Sequence, residues 1–234
     1  MWHHSYTDFI EEYQYAVTPT VFQNGEFDMH VGSAHSLPIN TTNDELDSGA
    51  SAPVFRATVD HRVFSSMSSA PKSLGGIYEV AIKKIGFDKI SKATEKQFLQ
   101  ALHNTNPENS HITQPYTGFT CDNTYYFISE CGSDDLETYY KESEAPRGLV
   151  AIAWLREQML GFPTALSSIH NLGPGSTITY HHNIQPSTII LLHTSDPYSI
   201  MQFTDWDLAS VEPLTPSGGS PEVKVNGGRS YQPP

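Results

Sequence analysis

The feature that most constrains the fold is a long apolar repeat between residues 149 and 170. Its large apolar side chains recur at alternating spacings of three and four residues, at Ile152, Leu155, Met159, Phe162, Leu166 and Ile169. That spacing is typical of one face of an α-helix. We therefore predict a helix over 149–170 that ends before the Gly-Pro-Gly of 173–175. Pro163 lies inside the repeat and is expected to kink the helix near Met159, because proline cannot donate a backbone hydrogen bond.

A second helix is predicted at 91–104. Residues Glu95, Phe98, Leu99 and Leu102 recur there at helical spacing, so a carboxylate shares the apolar face. A buried carboxylate needs a partner of opposite charge, which predicts a cation close to Glu95.

The other regular patterns are those of strands, with alternating or β-branched and aromatic residues. We predict strands at 54–59, 78–83, 125–128, 189–192 and 200–203, the last two as a hairpin. Residues 65–76 are rich in Ser, Pro and Gly and are typical of a loop insertion, and 213–234 is expected to be mobile. Strands followed mainly by helices favour an α+β chain built as two lobes.

Charge and composition restrict the partners. The 234 residues include 13 Lys+Arg and 26 Asp+Glu, a net charge of −13, which argues against nucleic acid or an anionic membrane as a partner. The longest apolar run, 148–155, is too short to span a bilayer, and residues 1–7 lack the apolar core of a signal peptide. We therefore expect an intracellular protein, cytoplasmic or nuclear.

Metal chemistry based on cysteine and histidine is not expected. Two cysteines do not make a disulfide scaffold, although Cys121 and Cys131 are able to pair. The adjacent His181 and His182 lack Cys-x-x-Cys or His-x-x-x-His spacing, so no zinc site is predicted. Haem is not expected either.

A lysine and a helical glutamate give the first indication of function. Residues 80–83 (VAIK) belong to a predicted strand, and Glu95 follows on the predicted helix. A lysine ammonium holds nucleotide phosphates when a carboxylate fixes its position, so Lys83 and Glu95 suggest phosphate binding. The alternative for Glu95 is an exposed carboxylate beside Lys92 or Lys96.

Four more segments occur in the order known from protein kinases. They are 45–57 (ELDSGASAPVFRA), 125–131 (YYFISEC), 181–190 (HHNIQPSTII) and 203–209 (FTDWDLA). In turn they resemble the glycine-rich loop with its strand, the strand and hinge between the lobes, the catalytic loop, and the segment around Asp-Phe-Gly. The chain is therefore similar to the protein kinases. A narrower resemblance, to a fungal group of serine/threonine-kinase-like proteins, is carried by 12–22 (EYQYAVTPTVF) and 169–175 (IHNLGPG).

The resemblance implies a protein-kinase-like two-lobed α+β fold, with a small β-rich lobe and an incomplete helical lobe. It divides the chain into an N-terminal extension (1–43), an N-lobe with the hinge (44–131), a partial C-lobe (132–210) and an activation-segment-like tail (211–234). It implies ATP contacts from Gly49, Val54, Lys83, Glu95, Ile128, Glu130 and Cys131. It also implies a magnesium contact from Asp205, for which the alternative is a turn or helix-cap aspartate.

Three replacements change the activity that the resemblance implies. The general base is replaced by Asn183, whose neutral amide cannot accept a proton at neutral pH. The lysine that steadies the transferred phosphoryl group is replaced by Gln185. The asparagine that holds the second magnesium is replaced by Thr188, a weaker oxygen ligand.

Other departures weaken nucleotide binding. Asp47 and Ala52 stand where the family has glycines in its phosphate loop, and Asp207 replaces the glycine after Trp206. A side chain restricts the approach of backbone N–H groups to phosphate, and a carboxylate repels it. We therefore expect weak binding of ATP and Mg²⁺ at most.

The end of the chain bears on partners. Residues 231–234 (YQPP) resemble the start of the family's Ala-Pro-Glu segment, so the helical lobe is expected to be C-terminally truncated. The long helix would then expose apolar surface, and a protein partner is expected to cover it.

We therefore expect a catalytically inactive kinase-like module, a pseudokinase that acts by binding. Two alternatives remain: an active serine/threonine kinase with an unusual base, and a truncated fragment without function.

Overall fold

A computed structural model describes residues 20–33, 35–47, 52–60, 64–65, 77–86, 91–105, 109–172, 177–192 and 199–213. Gly49, residues 12–19, the insertion at 66–76, the Gly-Pro-Gly at 173–175 and the tail from 214 onward lie outside the described residues. The chain divides into two compact units: Met1–Lys89 with Pro115–Cys131 forms unit 1, and Ile90–Gln114 with Gly132–Pro234 forms unit 2.

Unit 1 is built on a six-stranded sheet. The described strands of unit 1, six in this sheet and two in a separate pair, are β1 (Phe22–Gln23), β2 (Met29–Val31), β3 (Ile39–Asp47), β4 (Val54–Asp60), β5 (Phe64–Ser65), β6 (Ile77–Gly86), β7 (Pro115–Cys121) and β8 (Thr124–Glu130). The six-stranded sheet has the order β2-β7-β8-β6-β4-β3. Strand β2 is parallel to β7, and all other adjacent strands in the sheet are antiparallel. Strands β1 and β5 form a separate parallel pair. The strands predicted at 54–59, 78–83 and 125–128 are confirmed.

One core cluster of unit 1 lies on one face of this sheet. Alternation along β4 and β6 buries Ala57, Val59, Val80 and Ile82, which cluster with Phe119 of β7. Residues that alternate with them, such as Lys83, have intermediate exposure. The period-2 pattern of the sequence therefore predicts correctly which side of these strands is buried.

Gly118 of β7 leaves room for the side chain of Tyr125 on β8. A side chain at Gly118 would clash with the ring and hydroxyl of Tyr125 on β8. Because that space is open, the Tyr125 hydroxyl reaches across and donates to the carbonyl of Phe27 at 2.5 Å. Tyr125 is fully buried, so this bond satisfies its polar tip.

Unit 2 contains the helices. Its elements are α1 (Ser91–Thr105), β9 (Asp134–Asp135), α2 (Leu136–Glu142), α3 (Gly148–His170), β10 (Thr177–Tyr180), a 3₁₀ turn (Pro186–Thr188), β11 (Ile189–Leu192), β12 (Ile200–Phe203) and β13 (Ser210–Pro213). Both predicted helices and both predicted hairpin strands are confirmed. The α+β class is confirmed as well, whereas a kinase-like arrangement of lobes stays a prediction.

Helix α1 belongs to unit 2, and the predicted division of the chain into a lobe at 44–131 and a partial lobe at 132–210 stays a prediction. Phe98 of α1 stacks on Trp206 with ring centroids 4.9 Å apart. Both rings are buried.

Helix α3 covers the outer edge of strand β12. The Trp154 indole donates to the carbonyl of Ser199 at 2.7 Å, and Gln158 Oε1 accepts from the backbone N–H of Met201 at 2.9 Å. The carbonyl of Met201 accepts from His111 Nδ1 at 2.9 Å. Gly161 of α3 leaves room for that imidazole, since a side chain there would clash with the ring of His111. These contacts satisfy an edge that would otherwise expose unpaired backbone groups.

The packed strip of α3 is narrow, and two of its four buried residues are alanines. Its buried members are Ala151, Gln158, Ala165 and Ile169. Large apolar residues on the rest of the helix are exposed: Leu149 by 86%, Val150 by 62%, Ile152 by 65%, Met159 by 66% and Leu160 by 61%. The apolar repeat therefore contains both buried and exposed side chains. Pro163 lies inside the helix, and the kink predicted there stays a prediction.

Among the helices that the structure describes, none is long and apolar enough to cross a bilayer.

Two isoleucines of α3 test this packing. Ile169 is fully buried, so we expect Ile169→Ala to lower the free energy of unfolding by about 2–5 kcal/mol. The matched variant Ile152→Ala should change it by less than about 0.5 kcal/mol, since Ile152 is 65% exposed. Urea unfolding followed by circular dichroism measures both, and equal losses would contradict the orientation of α3.

Candidate functional site

Strand pairing places two loops of unit 2 side by side. We name them loop 181–188, which connects β10 to β11, and loop 204–209, which connects β12 to β13. Strand β10 pairs with β13 so that Tyr180 lies opposite Ser210, and β11 pairs with β12 so that Ile189 lies opposite Phe203. Both loops therefore begin and end at paired residues.

His181 is the buried link between the two loops. Its side chain is 2% exposed in relative terms, and its ring packs against Trp206 with centroids 4.6 Å apart. Nδ1 accepts from the backbone N–H of Asn183 at 3.3 Å, so the proton of the neutral ring lies on Nε2. Nε2 donates it to the carbonyl of Thr204 at 3.0 Å. Burial lowers the pKa of His181 to about 4, which keeps this neutral tautomer.

Asn183 and Asp205 meet across the two loops. Asn183 Nδ2 lies 2.8 Å from Asp205 Oδ2, and the amide must donate because a carboxylate only accepts. Asp205 has a positive φ of 65°, a conformation that aspartate tolerates better than most residues. The backbone N–H of Thr204 donates to the carbonyl of Thr188 at 3.1 Å, so main-chain bonding also fixes this juxtaposition.

Thr188 is engaged by the backbone of its own loop. Its hydroxyl donates to the carbonyl of Asn183 at 2.5 Å and accepts from the N–H of Gln185 at 3.1 Å. The Thr188 side chain is buried, and its backbone N–H donates to the Gln185 carbonyl at 2.9 Å. The structure thus brings together Asn183, Gln185, Thr188 and Asp205, all four of which the sequence singled out.

Asp207 adds a second carboxylate to loop 204–209. Its Oδ1 atom is buried and has no hydrogen-bond partner among the described residues. It lies close enough to His181 to raise the pKa of that imidazole, although burial outweighs this effect.

A polar chain that sequence reasoning missed lies next to these loops. His182 Nε2 lies 2.8 Å from Ser210 Oγ, and that hydroxyl donates to Glu212 Oε1 at 3.1 Å. Because the serine has one proton, His182 must donate to it. Burial lowers the pKa of His182, and Glu212 opposes the shift. The sequence shows only that Ser210 and Glu212 share one strand face; the strand pairing that adds His182 is long-range.

The ATP-contact residues predicted in unit 1 lie on neighbouring strands. Lys83 of β6 pairs with Val54 of β4 on one side and with Phe127 of β8 on the other. Ile128 is fully buried, and Glu130 and Cys131, at the end of β8 and directly after it, have intermediate exposure. Their contribution to nucleotide binding stays a prediction.

Tyr116 lies near the end of β8, and its pKa is shifted by burial and by the residues there. Burial raises the pKa of its hydroxyl far above the usual range, and the nearby Glu130 and Cys131 raise it further. Tyr116 is therefore a neutral phenol near two of the predicted ATP-contact residues.

Glu95 lies in unit 2, on α1. It is only 3% exposed and shares its buried face with Phe98 and Leu102, so its predicted place on the apolar face is confirmed. The alternative of an exposed carboxylate is wrong. The ion pair between Glu95 and Lys83 stays a prediction, and Gly49 lies outside the described residues.

No protein-family model matches the chain, and no curated protein matches it.

The pKa of His181 predicts a pH dependence of stability. The folded state holds this imidazole neutral down to about pH 4, whereas the unfolded chain takes up the proton near its ordinary pKa of about 6.5. Lowering the pH from about 6.5 to 4 therefore favours unfolding, by on the order of 3 kcal/mol. The stability advantage of the wild type over His181→Gln should shrink by that amount in urea titrations across this range.

A side chain that does not titrate provides the control for this experiment. Asn123 is exposed in unit 1, so the difference between wild type and Asn123→Gln should stay nearly constant over the same range. A His181→Gln difference that does not depend on pH would show that the imidazole is not buried in its neutral form.

Proposed function

We propose that the chain is a catalytically inactive, protein-kinase-like binding module with weak affinity for nucleotide. The single observation that carries the proposal is the hydrogen bond from the Asn183 amide to the Asp205 carboxylate, in two loops held side by side. It is supported by the order of the kinase-like segments along the sequence.

Asn183 accounts for the loss of catalysis. The resemblance assigns the general base to position 183, where a neutral amide cannot accept a proton. A general base contributes roughly 10²- to 10⁴-fold in rate, and this contribution is lost. The same amide is engaged with Asp205. Gln185 supplies no positive charge for a transferring phosphoryl group.

Weak nucleotide affinity is supported by what the sequence keeps and what it changes. Lys83 lies beside Val54 in the sheet of unit 1, which is compatible with its assigned contact to phosphate. Asp207 adds negative charge to loop 204–209, where it would repel a phosphate. The position of Lys83 and the charge of Asp207 together support nucleotide binding of low affinity.

A nucleotide titration tests this proposal. We expect millimolar ATP to raise the melting temperature of the wild type by about 3 °C, the shift for a ligand near ten times its Kd. Lys83→Ala should abolish the shift, whereas Lys84→Ala should keep it, because the adjacent lysine stacks over Phe55, 4.5 Å from the ring centroid. No variant should transfer the γ-phosphate of ATP to a generic protein substrate.

Two results would change the proposal. Phosphoryl transfer that disappears in Lys83→Ala would show an active kinase and overturn the proposal. If the protein neither transfers phosphate nor changes its melting temperature with ATP, nucleotide binding is excluded and only binding to a protein partner remains in the proposal.

We propose that a protein partner binds the exposed side of α3. Five large apolar side chains there are more than 60% exposed, and such patches mark interaction sites. The partner therefore presents an apolar surface that buries side chains such as Ile152 and Met159.

Site-specific cross-linking tests this placement. A photoreactive residue at Met159 should give one defined cross-linked species in extracts of the source cells, and Ile152→Glu should abolish it without lowering stability. The same residue at exposed Asn123 of unit 1 provides the control. Equal cross-linking from both positions would contradict a specific partner on α3.

A further inference from the structure

The residues around Asp205 do not fit the divalent cation that the resemblance implies. A cation needs oxygen atoms with free lone pairs directed at it. Asp205 Oδ2 instead faces the Asn183 Nδ2 amide at 2.8 Å, and an N–H donor repels a cation. Within the part of the chain that the structure describes, no group of three or more His, Cys, Asp or Glu side chains is arranged to hold a metal.

The second predicted ligand is also engaged. The Thr188 hydroxyl donates to one backbone carbonyl and accepts from one backbone N–H, and its side chain is buried. Turning it toward a cation would break bonds that shape loop 181–188. Thr188 therefore orders the loop, and the donor set expected for magnesium is reduced to the Asp205 carboxylate.

We propose that the Asn183 amide replaces a divalent cation at Asp205, so that the wild-type site does not respond to Mg²⁺ and the single change Asn183→Asp creates a cation site. The amide supplies the positive end of a dipole to the carboxylate, as a cation would. Because the Asn183 amide holds the carboxylate, Asp205 needs no ion to keep its place. This deepens the proposed function and rests on it for the role of Asp205, but it concerns cations alone.

The chemistry of the reverse change follows from the same geometry. In Asn183→Asp two carboxylates would lie at hydrogen-bond distance, and their repulsion destabilises the two loops. A divalent cation between them relieves that repulsion and gains oxygen ligands from both sides. The backbone that positions them, from Thr204 to Thr188, does not depend on the identity of residue 183.

Thermal melting with cations and without nucleotide tests the inference. About 10 mM Mg²⁺ or Mn²⁺, at ionic strength matched with KCl, should leave the melting temperature of the wild type unchanged within about 1 °C. The same cations should raise that of Asn183→Asp by about 3 °C or more. Without cations, Asn183→Asp should melt below the wild type.

A swapped variant separates the cation site from any general effect of charge. Asn183→Asp with Asp205→Asn keeps the net charge and restores an amide–carboxylate bond in the reverse direction, so it should again ignore the cations. A folded Asn183→Asp that does not respond would overturn the inference. A cation-dependent shift in the wild type that Asp205→Asn abolishes would overturn it too, and that comparison holds even if Asn183→Asp does not fold.

The outcome is distinct from that of the nucleotide experiment. Failure to bind ATP leaves these cation results as they are, because no nucleotide is present. A wild type that binds Mg²⁺ through Asp205 would refute the replacement while leaving weak nucleotide binding possible.

Discussion

The pairing of β10 with β13 and of β11 with β12 is the constraint on which the rest of the site depends. It sets loop 181–188 against loop 204–209, although the two loops are far apart in sequence. The neutral His181 then closes the space between them, with one ring nitrogen for each loop. Together these backbone and imidazole bonds hold Asn183 and Asp205 within hydrogen-bond distance.

A second constraint is the outer edge of β12, where Phe203 also exchanges backbone hydrogen bonds with His111 and Thr113. A strand edge needs partners, and α3 supplies them through Trp154 and Gln158, together with His111 from the turn before Ile112. Short hydrogen bonds require the helix to approach closely, which its alanines and Gly161 permit. The larger apolar residues of α3 then lie on its other sides. The exposed apolar residues of α3 are thus a consequence of the packing of its small residues against β12.

Local pattern predicted much of this structure. Period 3.6 gave both long helices, and the placement of Glu95 among buried apolar residues followed from spacing alone. Strand β7 was not predicted, because all its residues from Pro115 to Thr120 are buried and no alternation marks them. Periodicity also could not tell that Ile169 is buried and Ile152 exposed, since contacts with distant residues decide it.

The candidate site was predicted in part. Four polar residues expected to share a site, among them Asn183 and Asp205, do so in unit 2. Which atom donates to which partner was beyond the sequence, because the direction of the Asn183 amide depends on a strand pairing formed elsewhere. For the same reason the chain from His182 through Ser210 to Glu212 left no signal: its members lie on two different segments.

The most direct test of the account is the coupling energy between Asn183 and Asp205. A double-mutant cycle with Asn183→Ala and Asp205→Ala, measured by urea unfolding without cations, removes the strain and cavity effects that each change has alone. A partly buried hydrogen bond to a charged group predicts a favourable coupling of about 1.5–3 kcal/mol. Additivity within about 0.5 kcal/mol would contradict the bond, and with it the proposal that one amide replaces both the general base and the cation.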